Sequence, residues 1–200
     1  MTKPQVSLRA RQRQQLRNDL YRVAIGLFAD QGFDAVTVDD VAAAAGVSRS
    51  TVLRVATTKE ALLIDPLLEE ISGMVPAFAA RPATESVAEA FIQATVEAMT
   101  APSPGMFRTW LRAVRTAPHL LDRVRLVSHA SQAELRRIAA ARLGVDLDTS
   151  PLPRIVVTIG LAVSEDVFRR WISDSAGDMD SLPNTVDSEL RLAMIENDWL

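Results

Sequence analysis

Between Thr37 and Lys59 the sequence gathers Thr37, Ser48, Arg49, Ser50, Thr51, Arg54 and Lys59. All seven are hydrogen-bond donors, and three are cationic. No histidine or cysteine stands among them. Hydroxyls and cations without a neighbouring general base do not make an activated nucleophile. They suit another task, gripping phosphate oxygens and base edges.

The rest of the chain offers catalysis little. Its two histidines, His119 and His129, belong to no H-E-x-x-H pattern. His129 reads as a core residue of an apolar-rich helix. There is no cysteine, hence no disulfide framework and no thiolate metal or redox site. No G-x-S-x-G, Walker loop or dinucleotide fingerprint occurs. Glu69 and Glu70 are adjacent and so do not share a helix face. No catalytic residue, metal site or cofactor is expected.

The seven donors need elements to carry them. Thr37 reads as the N-cap of a short helix, with Asp40 three residues on completing a capping box. Ala42–Ala45 make that helix slim enough for close crossing. Gly46 supplies a sharp turn, Val47 plugs the angle, and Ser48 caps a third helix over residues 49–55. Two short helices joined by a four-residue glycine turn match a DNA-reading helix-turn-helix. The third helix, ~10 Å long, exposes Arg49, Ser50, Thr51 and Arg54. Thr57-Thr58-Lys59-Glu60 reads as a further capping box opening a fourth helix.

Charge supports this placement. The formal net charge of the 200 residues is −3, yet residues 1–60 hold nine Lys/Arg against six Asp/Glu. Counterion release depends on where cations meet phosphates, not on the whole surface. The same asymmetry also fits a solvated basic arm.

Helical periodicity runs nearly everywhere, so the fold class is all-α. A first helix over 10–31 carries the stripe Leu16, Leu20, Val23, Ala24, Leu27, Phe28 and ends at Gly32. The fourth helix presents Leu62, Leu63, Leu67, Ile71 and Met74 inward, and Pro66 should kink it. Further helices are expected over 84–99, 106–116, 118–143, 151–173 and 185–197. The helix through 155–163 is apolar nearly all round, as a helix inside a bundle or at an interface would be. The longest apolar stretch is far below the ~20 residues that span a bilayer. The amino-terminal residues lack the apolar run of a signal peptide. A cytoplasmic protein with no membrane partner is expected.

Residues 16–63 resemble the N-terminal domain of tetracycline-repressor-type (TetR) transcriptional regulators. The matching run is Leu27-Phe28, Gly32-Phe33, Thr37-Val38-Asp39-Asp40-Val41-Ala42, Ala45-Gly46-Val47-Ser48, Thr51 and Lys59-Glu60-Ala61-Leu62-Leu63. The resemblance implies a homodimer through the last two helices and palindromic operator DNA as partner. It also implies a C-terminal domain whose small-molecule effector releases the DNA. By position, Thr37 and Lys59 would approach phosphates, while Ser48–Thr51 and Arg54 would lie at the groove. One departure is Val52-Leu53-Arg54-Val55-Ala56, where the family usually has aromatics. Leu53 lacks the hydroxyl a tyrosine would offer phosphate, and Ala56 is a smaller plug than phenylalanine.

The expected organisation is a basic arm (1–9), a DNA-binding domain (10–63) and a ligand-binding and dimerisation domain (64–200). Phe91, Met99, Met106, Phe107, Trp110, Phe168 and Trp171 would line a hydrophobic pocket or form ordinary core. Arg108, Arg112 and Arg115 make a stripe that could hold an anionic head group or be a solvated face. The segment from Met106 through Trp171 resembles the branch of the family associated with acyl-CoA or lipid-like effectors. The expected function is a ligand-responsive repressor. Alternatives are a same-fold sensing or interaction protein with weakened DNA binding, a helical lipid-binding carrier, or a small all-α enzyme.

Overall fold

The computed structural model describes residues 8–70, 73–100, 104–123, 125–174 and 181–196. Their regular structure is helical throughout: α1 (Leu8–Gln31), α2 (Val38–Ala44), α3 (Arg49–Val55), α4 (Lys59–Glu70) and α5 (Met74–Ala80), then α6 (Val87–Thr100), α7 (Pro104–Arg115), α8 (His129–Leu143), α9 (Leu152–Ser173) and α10 (Ser181–Met194). A 3-10 turn, Pro118–Arg123, lies between α7 and α8. The expected all-α class holds. No helix among the described residues is long and apolar enough to cross a membrane.

Two compact units form, Met1–Leu67 with Pro104–Asp122, and Leu68–Ser103 with Arg123–Leu200. In the first, α1 buries Leu20, Tyr21, Ala24, Ile25 and Phe28. Gly32 ends it at φ 88°, and its N–H caps the Phe28 carbonyl at 3.0 Å. The Phe28 and Phe33 rings then meet at 5.0 Å. α7 packs along α1. Its last turn is fastened by the Phe33 N–H, which donates to Thr116 Oγ1 at 2.9 Å. Trp110 of α7, buried, donates its indole N–H to the Leu63 carbonyl at 2.7 Å. Pro66 lies inside α4 and lacks the N–H that would reach the Leu62 carbonyl. α7 is thus pinned to both the α1–α2 turn and α4.

In the second unit α6 packs against α5, α9 and α10. At its crossing with α9 the Phe91 ring occupies the space a side chain at Gly160 would need. Phe78 meets Phe91 edge-on at 5.7 Å. Arg191 of α10 reaches Glu89 of α6 with two bonds of 2.8 Å and Asp187 with a third of 2.8 Å. These hydrogen bonds push the Arg191 pKa further up, and the Arg191 bond holds Glu89 below the usual carboxylate range.

Several boundaries differ from the periodicity. The fourth helix stops at Glu70, and Met74 belongs to the separate α5. Pro76, having no N–H to give, sits in the first turn of α5, where a helix tolerates it. Ile71 lies outside the described residues. A single helix over 118–143 does not form: the 3-10 turn comes first, and Ser128 caps α8 by accepting the Ser131 N–H. Leu126 and Val127, buried, hold the intervening chain. That start makes His129 the exposed first residue of α8, not a core histidine. α6 begins at Val87 because Ser86 accepts the Glu89 N–H. α10 begins at Ser181, one turn earlier than expected. Over 155–163, α9 buries Val156, Val157, Gly160 and Leu161 but leaves Thr158 and Ala162 exposed and Ile155, Ile159 and Val163 half-buried. It has an outward apolar face.

Candidate nucleic-acid interface

The interface is built from the turn outward. Thr37 and Asp40 form a complete capping box: the Thr37 N–H and hydroxyl both donate to Asp40 Oδ2 (2.8 and 2.6 Å), and the Asp40 N–H donates to Thr37 Oγ1 at 3.2 Å. The Thr37 hydroxyl is the first cause of the depressed Asp40 pKa. α2 then closes in a Schellman arrangement. The Gly46 N–H meets the Ala43 carbonyl at 3.2 Å, and the Val47 N–H meets the Ala42 carbonyl at 3.0 Å. Gly46 has φ 65°, the left-handed region that favours glycine. Val47, half-buried, occupies the angle.

Ser48 follows as N-cap of α3. Its Oγ accepts the Thr51 N–H at 3.2 Å and lies 2.9 Å from both the Ser50 and Thr51 hydroxyls. α3 hides Val52, and Ala56 behind it is also buried. Leu53 is half-buried. Outward stand Ser48, Arg49, Ser50 and Arg54, all exposed, with Thr51 half-buried beside them. Arg49 is engaged, its guanidinium 2.7 Å from Asp39 of α2. Arg54 has no hydrogen-bond or ion-pair partner among the described residues.

Lys59 has an employment the spacing did not reveal. Its ammonium donates to the Phe33 carbonyl at 2.9 Å and the Val36 carbonyl at 3.1 Å, and lies 4.2 Å from the Phe33 ring centroid. It fastens the start of α4 to the α1–α2 turn. Two of its three donor positions are used there. The α4 cap is Thr58, which accepts the Ala61 N–H at 3.1 Å; with alanine at N3, the Thr57–Glu60 capping box is not formed.

The sequence-expected interface residues therefore share one helix-turn-helix and its flanks. Of the apolar candidates, Phe91, Met99, Phe168 and Trp171 are buried in the second unit, and Phe107 and Trp110 in the first, with Met106 half-buried. Phe107 stacks on Trp110 at 5.5 Å and Phe168 on Trp171 at 6.5 Å. Arg108, Arg112 and Arg115 are exposed, and Arg112 pairs with Asp30 at 2.8 Å.

A glycine-turned pair of short helices, capped at both starts and presenting hydroxyls and guanidinium groups outward, defines a helix-turn-helix protein. Comparison narrows this. Residues 20–65 match the family model of bacterial regulatory proteins of the tetR family. The chain is 30% identical over 191 residues to the HTH-type transcriptional regulator TcmR of Streptomyces glaucescens, covering 92% of this chain and 84% of that protein. Solved structures similar to it include a tetR-family transcriptional regulator from Streptomyces coelicolor (19% identity, 90% of this chain and 81% of that one, TM-score 0.48). Another is the TetR family transcriptional regulator PfmR from Thermus thermophilus (23% identity, 86% and 97%, TM-score 0.40). The chain belongs to the TetR family and is a transcriptional regulator of that family.

Proposed function

We propose that the protein is a ligand-responsive repressor that binds palindromic operator DNA as a homodimer and leaves it on binding a small hydrophobic or acyl-type effector. DNA reading resides in residues 10–63, and effector binding and dimerisation in 64–200. The observation that carries the reading is the outward face of α3. It presents Arg54, without a hydrogen-bond or ion-pair partner among the described residues, beside three hydroxyls, on a helix whose start is fixed by the Gly46 turn. Arg54 takes a phosphate or base edge directly. Ser50, Thr51 and Arg49 join by exchanging internal bonds for DNA, and Thr37 and Lys59 lie at the phosphate rails.

The outward apolar face of α9, with Leu152 40% exposed, together with Leu192 of α10 (54% exposed) and Ile195 just beyond its end (43% exposed), supports pairing through these two helices. Buried aromatics, two pairs of them stacked, suit an apolar effector. The effector favours the conformation that cannot span two half-sites, and so shifts the population off DNA. Pro66 is the flexure for that change.

Fluorescence anisotropy on its own promoter fragments tests this. Binding should weaken steeply with salt, and Arg54→Ala should flatten the slope of log K against log [salt] by about one unit. Pro66→Ala should blunt effector-driven release without abolishing DNA binding. A monomer that ignores every fragment at low salt refutes the proposal; a Pro66→Ala protein that releases normally refutes the flexure.

A further inference from the structure

A cleft of about 450 Å³ opens in the second unit where α8 meets the loop leading into α9. Three arginines line it: Arg136 and Arg137 from α8 and Arg154 from the first turn of α9. Their charges are not spent alike. Arg137 pairs with Glu134 of its own helix. Arg136 and Arg154 have no hydrogen-bond or ion-pair partner among the described residues. The Arg136 Nε is enclosed within the protein and has no hydrogen-bond partner among the described residues.

The opposite wall is the α8–α9 loop, and it is held in shape. Gly144 closes α8 in the left-handed region at φ 65°. Asp146 Oδ1 then accepts the N–H groups of Asp148 and Thr149 at 2.9 and 3.0 Å, and the Ser150 N–H meets the Asp146 carbonyl at 3.0 Å. This wall brings Leu147 and Thr149 to the cleft, with Asp148 its one carboxylate.

A hydrogen-bonded loop wall with an apolar residue, and two lining arginines without partners among the described residues, have the chemistry of a ligand site. Planar guanidinium forks match the oxygens of a phosphate or carboxylate. The volume falls within the ~300–1,000 Å³ of small-molecule sites. We propose that this cleft is a binding site for a small organic dianion, none of its lining residues being among the buried aromatics proposed to receive the effector. Arg136 and Arg154 hold the anionic head, and Leu147 lies against its carbon body. The site belongs to a chain of net charge −3, so its cationic character is local.

Isothermal titration calorimetry on the full chain tests this with phenyl phosphate, phthalate and neutral phenol. One or both dianions should bind saturably with one site per chain, and phenol should not. The arm that binds more tightly tells a phosphate head from a dicarboxylate. Arg154→Gln, at an exposed position, should weaken binding about ten- to a hundredfold, and so should Arg136→Gln. Arg54→Ala and Arg108→Gln should leave it unchanged. Absence of saturable binding for both dianions overturns the proposal. So does equal binding in Arg154→Gln, or loss in Arg54→Ala, which would place the anion on the reading helix. DNA binding is not the readout, so failure here is distinct from failure of the repressor reading.

Discussion

Gly160→Ala is the sharpest test of how the second unit is packed, because two effects of opposite sign compete there. Alanine in mid-helix is favoured over glycine by about 1 kcal/mol, so helix propensity alone makes the variant more stable. The structure argues the other way. A Cβ at Gly160 would lie 2.2, 2.7 and 2.8 Å from Cε1, Cζ and Cδ1 of Phe91. Comfortable carbon contacts begin near ~3.5 Å, so the ring must move by roughly 1 Å. Phe91 is fully buried and its ring meets Phe78 at 5.7 Å, which leaves it little room to swing. Overpacking of this kind costs about 1–3 kcal/mol, enough to offset the propensity gain and leave a net loss of up to about 2 kcal/mol. For a chain of this size that lowers Tm by about 2–4 °C per kcal/mol. Thermal unfolding followed by circular dichroism measures it. Adding Phe91→Leu should recover part of the loss, since the smaller side chain vacates the site. A Gly160→Ala protein that gains about 1 kcal/mol would show that the ring yields freely and that the α6–α9 crossing is not tightly packed.

Three further outcomes follow from particular contacts. Lys59→Met removes the donor shared by the Phe33 and Val36 carbonyls and should destabilise the first unit by about 2 kcal/mol; an unchanged urea midpoint would show that water replaces the ammonium without loss. Asp39→Asn frees Arg49 from its exposed pair and removes a negative charge from the reading face. DNA should then bind more tightly with a steeper salt slope, and anisotropy showing no gain would remove Arg49 from the contacts. Glu89, held below the usual carboxylate range chiefly by the Arg191 hydrogen bond, stabilises the fold above its unfolded pKa; that contribution is lost as pH falls through the lower folded value. Glu89→Gln should flatten this acid limb in unfolding titrations, and an identical limb would dismiss the pair as a source of pH dependence.

The reading unit was legible in the sequence because local chemistry specifies it. Thr37 with Asp40, Gly46, and Ser48 with Thr51 each act within three residues, so spacing alone places α2, the turn and α3. α5 and the start of α8 were not legible. Apolar period runs through both, and what decides them is a proline at Pro76, a hydroxyl cap at Ser128 and the burial of Leu126 and Val127 against the rest of the unit. The work of Lys59 was hidden for a different reason: its acceptors are carbonyls 26 and 23 residues away. Arg154 and Arg136 likewise become neighbours only when α9 folds back beside α8.

The groups to which the proposed function assigns DNA contacts are also those that hold α3 in position. Ser48 caps α3 while facing outward, the Thr37 hydroxyl is spent on Asp40, and Arg49 bridges to α2. A phosphate reaching these groups must displace an existing partner, so each such contact yields less than its gross strength. Arg54 displaces nothing. On the proposed function, the weight of recognition would shift toward the one guanidinium of α3 that is uncommitted among the described residues, and away from the position of Leu53, which has no polar group to contribute. On that reading, Arg54→Ala should cost DNA affinity more than Arg49→Ala or Ser50→Ala, and anisotropy showing equal losses would refute it.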